Sequence, residues 1–220
     1  IVFTRVPEPG KTKTRLQKLL TKEECAGMHE AILGDQKELC CSDEWDTFVY
    51  FTPESGKERI QELLPGAVDY LPQENVEFGE RMKNCIKHVL ESGYDACHLV
   101  GTDIPALNAD IIRQAFSILE EKDVVIGATE DKGYYLIGMK EMHDAVFENQ
   151  VYGTGSVYGD TVEKIKDCQC SYGVLPVLRD VDEPEDLKEY LKEYAEKSDK
   201  ISHTWGYLLD LKQKYGLNRE

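Results

Sequence analysis

Apolar residues come in short runs separated by amphipathic stretches, the pattern of strands interleaved with helices. Ile1-Val2-Phe3 ends a first strand and leads into the turn-rich Val6-Pro7-Glu8-Pro9-Gly10. Further strands are predicted over residues 47–51, 68–71, 96–100, 123–128, 133–139 and 172–178. The run 96–100 is nearly continuous in apolar residues, as a strand covered on both faces requires. Thr21-Lys22-Glu23-Glu24 reads as a capping box that opens a helix to about residue 40. Other helices are predicted over 55–64, stopped by Pro65-Gly66, over 78–91, from Asn108 to about 121, over 154–166, and over 202–215. One more opens at Asp182-Glu183-Pro184-Glu185, with Asp182 as its N-cap. No internal repeat or long linker interrupts the order, so residues 1–220 are expected to form one domain. The alternation predicts an α/β fold, a mixed and mostly parallel sheet with helices on both faces.

In open sheets of this kind ligands collect beyond the carboxyl ends of the strands. Two dense motifs stand there. The first, Thr4 to Leu16, carries Arg5, Lys11, Lys13 and Arg15 on a loop stiffened by two prolines and a glycine. It lacks the glycine spacing of a P-loop, yet guanidinium forks and ammonium charges in that density suit phosphate. The bland alternative is a solvated basic loop. The second, Gly101-Thr102-Asp103-Ile104-Pro105, places a carboxylate at a strand end, where it could hold Mg²⁺ or Mn²⁺ with phosphate oxygens completing the shell; the alternative is a turn aspartate. Asp182 is a candidate second ligand if its loop folds back beside Asp103. In Glu130 to Gly138, Gly133 and Tyr134 could line an acceptor pocket, against a plain hairpin turn.

Composition sharpens this picture. The chain has a net charge of −16, yet its first 20 residues hold five cations and one acid, leaving −20 for the rest. That balance argues against duplex nucleic acid as a partner and for a local anion site. Seven cysteines, an odd count without the spacing of a small disulfide scaffold, point to free thiols and a reducing, cytoplasmic setting. Cys168-Gln-Cys170 could hold a soft metal, although no second pair stands near it. No apolar run is long enough for a bilayer span. Five dispersed histidines show no metal spacing, and His98, within an apolar strand, reads as a core residue. The absence of a GxGxxG turn and of a nucleophile elbow argues against hydride transfer and serine hydrolysis.

Together the motifs resemble the bacterial glycosyltransferase-A-like family also called cofactor-guanylyltransferase-like or arsenosugar-type glycosyltransferases, within the nucleotide-diphospho-sugar transferase superfamily. The family pattern, approximately ARxPxPGxxKTRL, LGERM, GTDxP, DGGYYLIGL, WGT and DVDTPEDL, corresponds here to Arg5–Leu16, Phe78–Met82, Gly101–Pro105, Asp131–Gly138, Tyr152–Thr154 and Asp180–Leu187. Lys132, Tyr152 and Glu183 stand where the family has glycine, tryptophan and threonine. The resemblance implies a three-layer α/β/α sandwich with a nucleotide over the amino-terminal half of the sheet. On it, Arg5, Lys11, Lys13, Arg15 and Arg81 bind phosphate, Asp103 and Asp182 hold a divalent metal, and Asp131 positions or deprotonates an acceptor hydroxyl. Gly133, Tyr134, Tyr152 and Thr154 line the acceptor pocket. The partners expected are a nucleotide or nucleotide-sugar donor and a small-molecule acceptor. Glycosyl transfer is the leading expectation; nucleotidyl transfer with release of pyrophosphate and a non-catalytic nucleotide-binding module are the alternatives.

Overall fold

The structure, a computed structural model, describes residues 1–197 and 202–217. Seven strands form one sheet: β1 (Val2–Arg5), β2 (Phe48–Thr52), β3 (Asp69–Pro72), β4 (Cys97–Gly101), β5 (Val124–Thr129), β6 (Tyr134–Met139) and β7 (Tyr172–Leu178). Their order is β3-β2-β1-β4-β6-β5-β7. Only β6 runs against its neighbours, β4 and β5; every other pairing is parallel. The expected mixed, mostly parallel sheet is therefore present. Side-chain alternation splits each central strand between two cores. Val49 and Phe51 join one with Val2 and Val100, whereas Phe48 and Tyr50 join the other with Phe3 and Leu99.

The helices are α1 (Lys22–Gln36), α2 (Lys57–Leu63), α3 (Phe78–Glu91), α4 (Ala109–Glu121), α5 (Val157–Asp167), α6 (Pro184–Lys197) and α7 (His203–Tyr215). Leu33 of α1, Ile60 of α2 and Ile112 of α4 pack on one sheet face, and Met82 and Ile86 of α3 with Ile165 of α5 on the other. This is the three-layer sandwich. A third core joins the far side of α1, through Met28 and Ile32, to Leu187 of α6 and Leu208 of α7. The capping box forms in full: Thr21 accepts from Glu24 N and Glu24 returns to Thr21 N. Beyond Gln36, however, α1 tightens into a 3-10 turn over Lys37–Cys40, short of the continuous helix expected. Similarly, α5 starts at Val157 rather than 154, because Thr154 Oγ1 is bonded to Val151 O at 3.0 Å in the preceding turn.

Two corrections bear on function. The amides of Asp182 and Glu183 donate to Asp186 Oδ2, at 3.0 and 2.7 Å. The helix starts at Pro184, so Asp186 is its third residue and supplies the reciprocal half of a capping box to Glu183 N; Asp182 stands one residue outside the cap, and its carboxylate is left for other partners. At the tip of the β5–β6 hairpin, Lys132 adopts φ 69°. This left-handed geometry explains the family's glycine there: a Cβ in that region costs about 1–2 kcal/mol, part of which glycine's extra unfolded-state freedom offsets. Lys132→Gly is expected to raise stability by about 0.5–1 kcal/mol, read as a higher urea midpoint at unchanged slope.

Candidate active site

The carboxyl ends of β1 and β4 lie side by side, with Phe3 in register with Gly101. The two loops that leave them meet at once. Thr4 Oγ1 and Thr102 Oγ1 are 2.8 Å apart, sharing a hydrogen bond that closes the floor between the strands. From α1 above, His29 brings Nε2 to 3.2 Å from Arg5 O, so this nitrogen carries the proton and donates. Its Nδ1 is buried with no partner. Burial, ahead of the opposing pull of Asp103, lowers the imidazole to about 4. His29 is a neutral structural donor at neutral pH.

The loop after β1 coils on itself. Lys11 N and Thr12 N both donate to Glu8 O, and Thr12 Oγ1 donates to Val6 O at 3.0 Å. Lys13 then takes φ 50°, a left-handed turn that throws its side chain inward. The side chain is 2% exposed, with Nζ against Asp103 Oδ1 and 3.1 Å from Asp182 Oδ1. Arg15 Nη1 lies 3.5 Å from Asp182 Oδ2. Val181 N donates to Asp103 O at 3.1 Å, which fastens the loop after β7 to the loop after β4. Burial works against the Lys13 ammonium but is outweighed by the two carboxylates, which hold it above the ordinary lysine value. For Asp103 burial is likewise outweighed, by Lys13 first, and the carboxyl sits below its usual range.

These groups line a cavity of about 390 Å³ that also takes in Arg5, Lys11, Arg15 and Arg81. Every phosphate-binding candidate and both metal candidates thus face one space. Arg81 reaches it from α3, where Gln73 Oε1 accepts from Arg81 Nη1 at 3.4 Å. Gln73 is itself fixed by donating to Thr4 O at 2.8 Å and Tyr50 O at 3.2 Å. The Arg81 guanidinium stands 5.5 Å from the Phe78 ring, a cation–π distance. Phe78 is 41% exposed and forms the wall between this cavity and a second hollow of about 720 Å³.

Asp131, Gly133, Tyr134 and Thr154 do not line the cation-rich cavity, nor the second hollow. Asp131 works at the hairpin tip, where Oδ1 accepts from Thr129 Oγ1 and Gly133 N. Tyr134 is turned into the sheet–α3 core, its hydroxyl 3.9 Å from the Met82 sulfur. Tyr152 does reach the second hollow, edge-on to Phe78 at 4.9 Å between ring centres, with Glu77, Glu80, Glu148 and Lys83 nearby. Asp180 lies near enough to Asp131 and Asp182 to feel both charges. Burial first, then the charges of Asp131 and Asp182, raise it to about 7.

A divalent ion can be tested against these donors. Mg²⁺ and Mn²⁺ sites on phosphate substrates use one or two carboxylates, with substrate oxygens and water supplying the rest. Asp103 and Asp182, close enough to share one ammonium, fit that donor set. Among the described residues no group of three His, Cys, Asp or Glu side chains could hold a metal alone, and all seven cysteines are free thiols. His143 Nε2 stands 3.4 Å from Cys170 Sγ, but with Cys168 these residues form no such group. No helix among the described residues is long and apolar enough to cross a membrane.

The fold matches that of the nucleotide-diphospho-sugar transferase superfamily. A proposed nucleotide-diphospho-sugar transferase from Desulfovibrio desulfuricans G20 superposes with a TM-score of 0.89 at 29% identity, over 97% of this chain and 96% of that one. The family model DUF2064, described as an uncharacterized protein conserved in bacteria, matches residues 37–154, more than half of the chain, and the chain belongs to that family. More distant structures share the fold alone. CMP:2-keto-3-deoxy-manno-octonic acid synthetase complexed with CTP has a TM-score of 0.54 at 9% identity, over 90% of this chain and 99% of that one. Rv0371C of Mycobacterium tuberculosis H37Rv, in complex with manganese, has 0.52 at 12%, over 87% and 96%. No curated protein matches the chain.

Proposed function

We propose that the protein is a metal-assisted transferase drawing on a nucleotide-activated donor, and that the donor is a nucleotide sugar. The carrying observation is the convergence of Arg5, Lys11, Lys13, Arg15 and Arg81 with Asp103 and Asp182 on one cavity at the ends of β1 and β4. The Desulfovibrio relative and the manganese-bound neighbour support this reading and Mg²⁺ or Mn²⁺ as its cofactor. Asp103 and Asp182 would hold the ion, which when bound polarises phosphate oxygens as a Lewis acid.

The protein's own side chains do the remaining work. The cations bind the diphosphate and neutralise the charge that grows on it as the sugar departs, and they are oriented before the reaction begins. The acceptor lies beyond Phe78, beside Tyr152, and its oxygen attacks the anomeric carbon. The bond from that carbon to the diphosphate breaks, and a nucleoside diphosphate leaves. The acceptor's proton passes to water, since Asp131 is tied into its hairpin turn outside both cavities. Glu77, Glu80 and Glu148 against the single Lys83 make the second hollow unfavourable for an anionic acceptor. That favours a hydroxyl compound over the sugar phosphate used in nucleotidyl transfer.

Nucleotidyl transfer keeps one observation on its side, since five cations exceed what a diphosphate needs. A product assay separates the two. Incubation with nucleotide sugars and a panel of hydroxyl acceptors is expected to release nucleoside diphosphate. Incubation with nucleoside triphosphates and sugar 1-phosphates is expected to give no pyrophosphate. The reverse result overturns the glycosyl assignment, and nucleotide binding without turnover in either assay supports a non-catalytic module.

A further inference from the structure

The ammonium of Lys13 stands between the two carboxylates proposed above to hold a divalent ion. It touches Asp103 Oδ1, lies 3.1 Å from Asp182 Oδ1, and has a side chain only 2% exposed. Asp103, by contrast, is 53% exposed toward the cavity. The left-handed backbone at φ 50° aims this side chain inward, a conformation lysine seldom takes. We infer that Lys13 is the resident counter-cation of the Asp103–Asp182 pair, and that a divalent ion enters only when nucleotide phosphates draw the ammonium away. The inference rests on the metal-assisted reading of the site.

The argument is electrostatic. With Lys13 in contact and Arg15 Nη1 3.5 Å from Asp182 Oδ2, the two carboxylates already face two cations, and a divalent ion added there would meet an ammonium at contact range. No third carboxylate, histidine or cysteine among the described residues completes a metal site, so nothing from these side chains compensates for the repulsion. A polyphosphate in the cavity changes this balance. It offers the ammonium another anion within the same cavity, which Arg5, Arg15 and Arg81 also line. Lys13 can then neutralise a phosphate oxygen while the vacated carboxylates and other phosphate oxygens surround the metal. Metal and nucleotide should therefore bind with strong mutual coupling, and metal alone should bind poorly. The same exchange keeps the pair from presenting two unbalanced carboxylates when no donor is bound.

Lys13→Gly and Lys13→Asn test this directly, because both residues accept the left-handed backbone and so preserve the loop. Circular dichroism checks that both variants fold. Mn²⁺ binding to the full chain without nucleotide is measured from loss of the free-ion EPR signal. Both variants are expected to bind Mn²⁺ alone at least about tenfold more tightly than the wild type, within the usual range of coupling between two ligands. Wild-type protein that binds Mn²⁺ alone as tightly as the variants overturns the inference while leaving the metal site intact. Water-proton relaxation with Mn²⁺ plus UDP or GDP reports on the ternary complex. Wild type is expected to show protein-bound manganese only when a nucleotide is added. If no sample shows it, with or without nucleotide, the metal-assisted reading fails together with the inference.

Discussion

Asp103→Asn is expected to lower turnover by about two to three orders of magnitude while leaving the chain folded. The size follows from the ion that Asp103 would hold: an electrostatic group aimed at developing negative charge in a preorganised site contributes about 10²–10³, and loss of one of its two carboxylate ligands would remove most of that. Asparagine keeps the shape and one oxygen of Asp103 but not its charge. The proposed ion would retain Asp182 as its one protein carboxylate, and Lys13 would keep one of its two partners at 3.1 Å. The stability cost should be smaller. The Asp103 side chain is 53% exposed, and solvent screens much of what a buried pair would contribute. Its backbone carbonyl, which accepts from Val181 N, is unaffected by the substitution. Isothermal titration with a nucleotide and Mg²⁺ should show weakened binding, and a steady-state assay the loss of turnover. Turnover within threefold of wild type, with unchanged metal–nucleotide affinity, would remove Asp103 from the site.

The sequence made the sheet legible because its central strands are buried on both faces, and a run such as Cys97-His98-Leu99-Val100 has few other readings. Some boundaries fall elsewhere than the pattern predicts, for local reasons; the helix expected over 55–64, for one, opens as a 3-10 turn at Glu54–Gly56. The end of α1 carries no proline, and its one nearby glycine, Gly34, lies inside the last turn instead of after it, so nothing marks where α gives way to 3-10 geometry. The start of α5 waits on a turn closed by Thr154, and the start of α6 moves one residue past Asp182 because Asp186 holds the amide of Glu183. The cations and carboxylates were legible as chemistry, since their motifs follow strand ends. Their common cavity is not, because it depends on the loops after β1 and β4 being met by the loop after β7, an edge strand that stands beyond β6 and β5. His29 carries no sequence signal for the same reason. It sits on a helix face with Cys25, Met28, Ile32 and Leu33, and only the return of α1 over β1 gives its ring a partner. Gln73 and Phe78 likewise acquire meaning only when the loop after β3 and the start of α3 reach the carboxyl end of β1. Conversely, Gly133, Tyr134 and Thr154 look functional in a motif, but the structure uses them in a turn, a core and a turn.

Acidification to pH 5 is expected to weaken the fold through His29, by about 2 kcal/mol relative to pH 7. The ring is buried among α1 and the ends of β1 and β4, its Nε2–H donated to Arg5 O and its Nδ1 facing no acceptor. A second proton would place an unpaired cation in that pocket, and burial accordingly lowers the group from 6.5 to about 4. Between those values the unfolded chain binds the proton and the folded chain does not, so stability is full above about pH 6.5 and is lost as pH falls toward 4. Lys13 and Asp103 do not share this window. The raised Lys13 contributes stability that is lost only as pH rises through its folded value, above 10.5. The depressed Asp103 loses its contribution only below its unfolded value of 3.8. His29→Gln keeps a donor for Arg5 O without a titrating ring. Urea unfolding at pH 7 and pH 5 should show the wild type losing about 2 kcal/mol more than this variant over the interval. Equal losses would mean that His29 titrates as it does in the unfolded chain, and that the floor beneath the phosphate cavity is open to water.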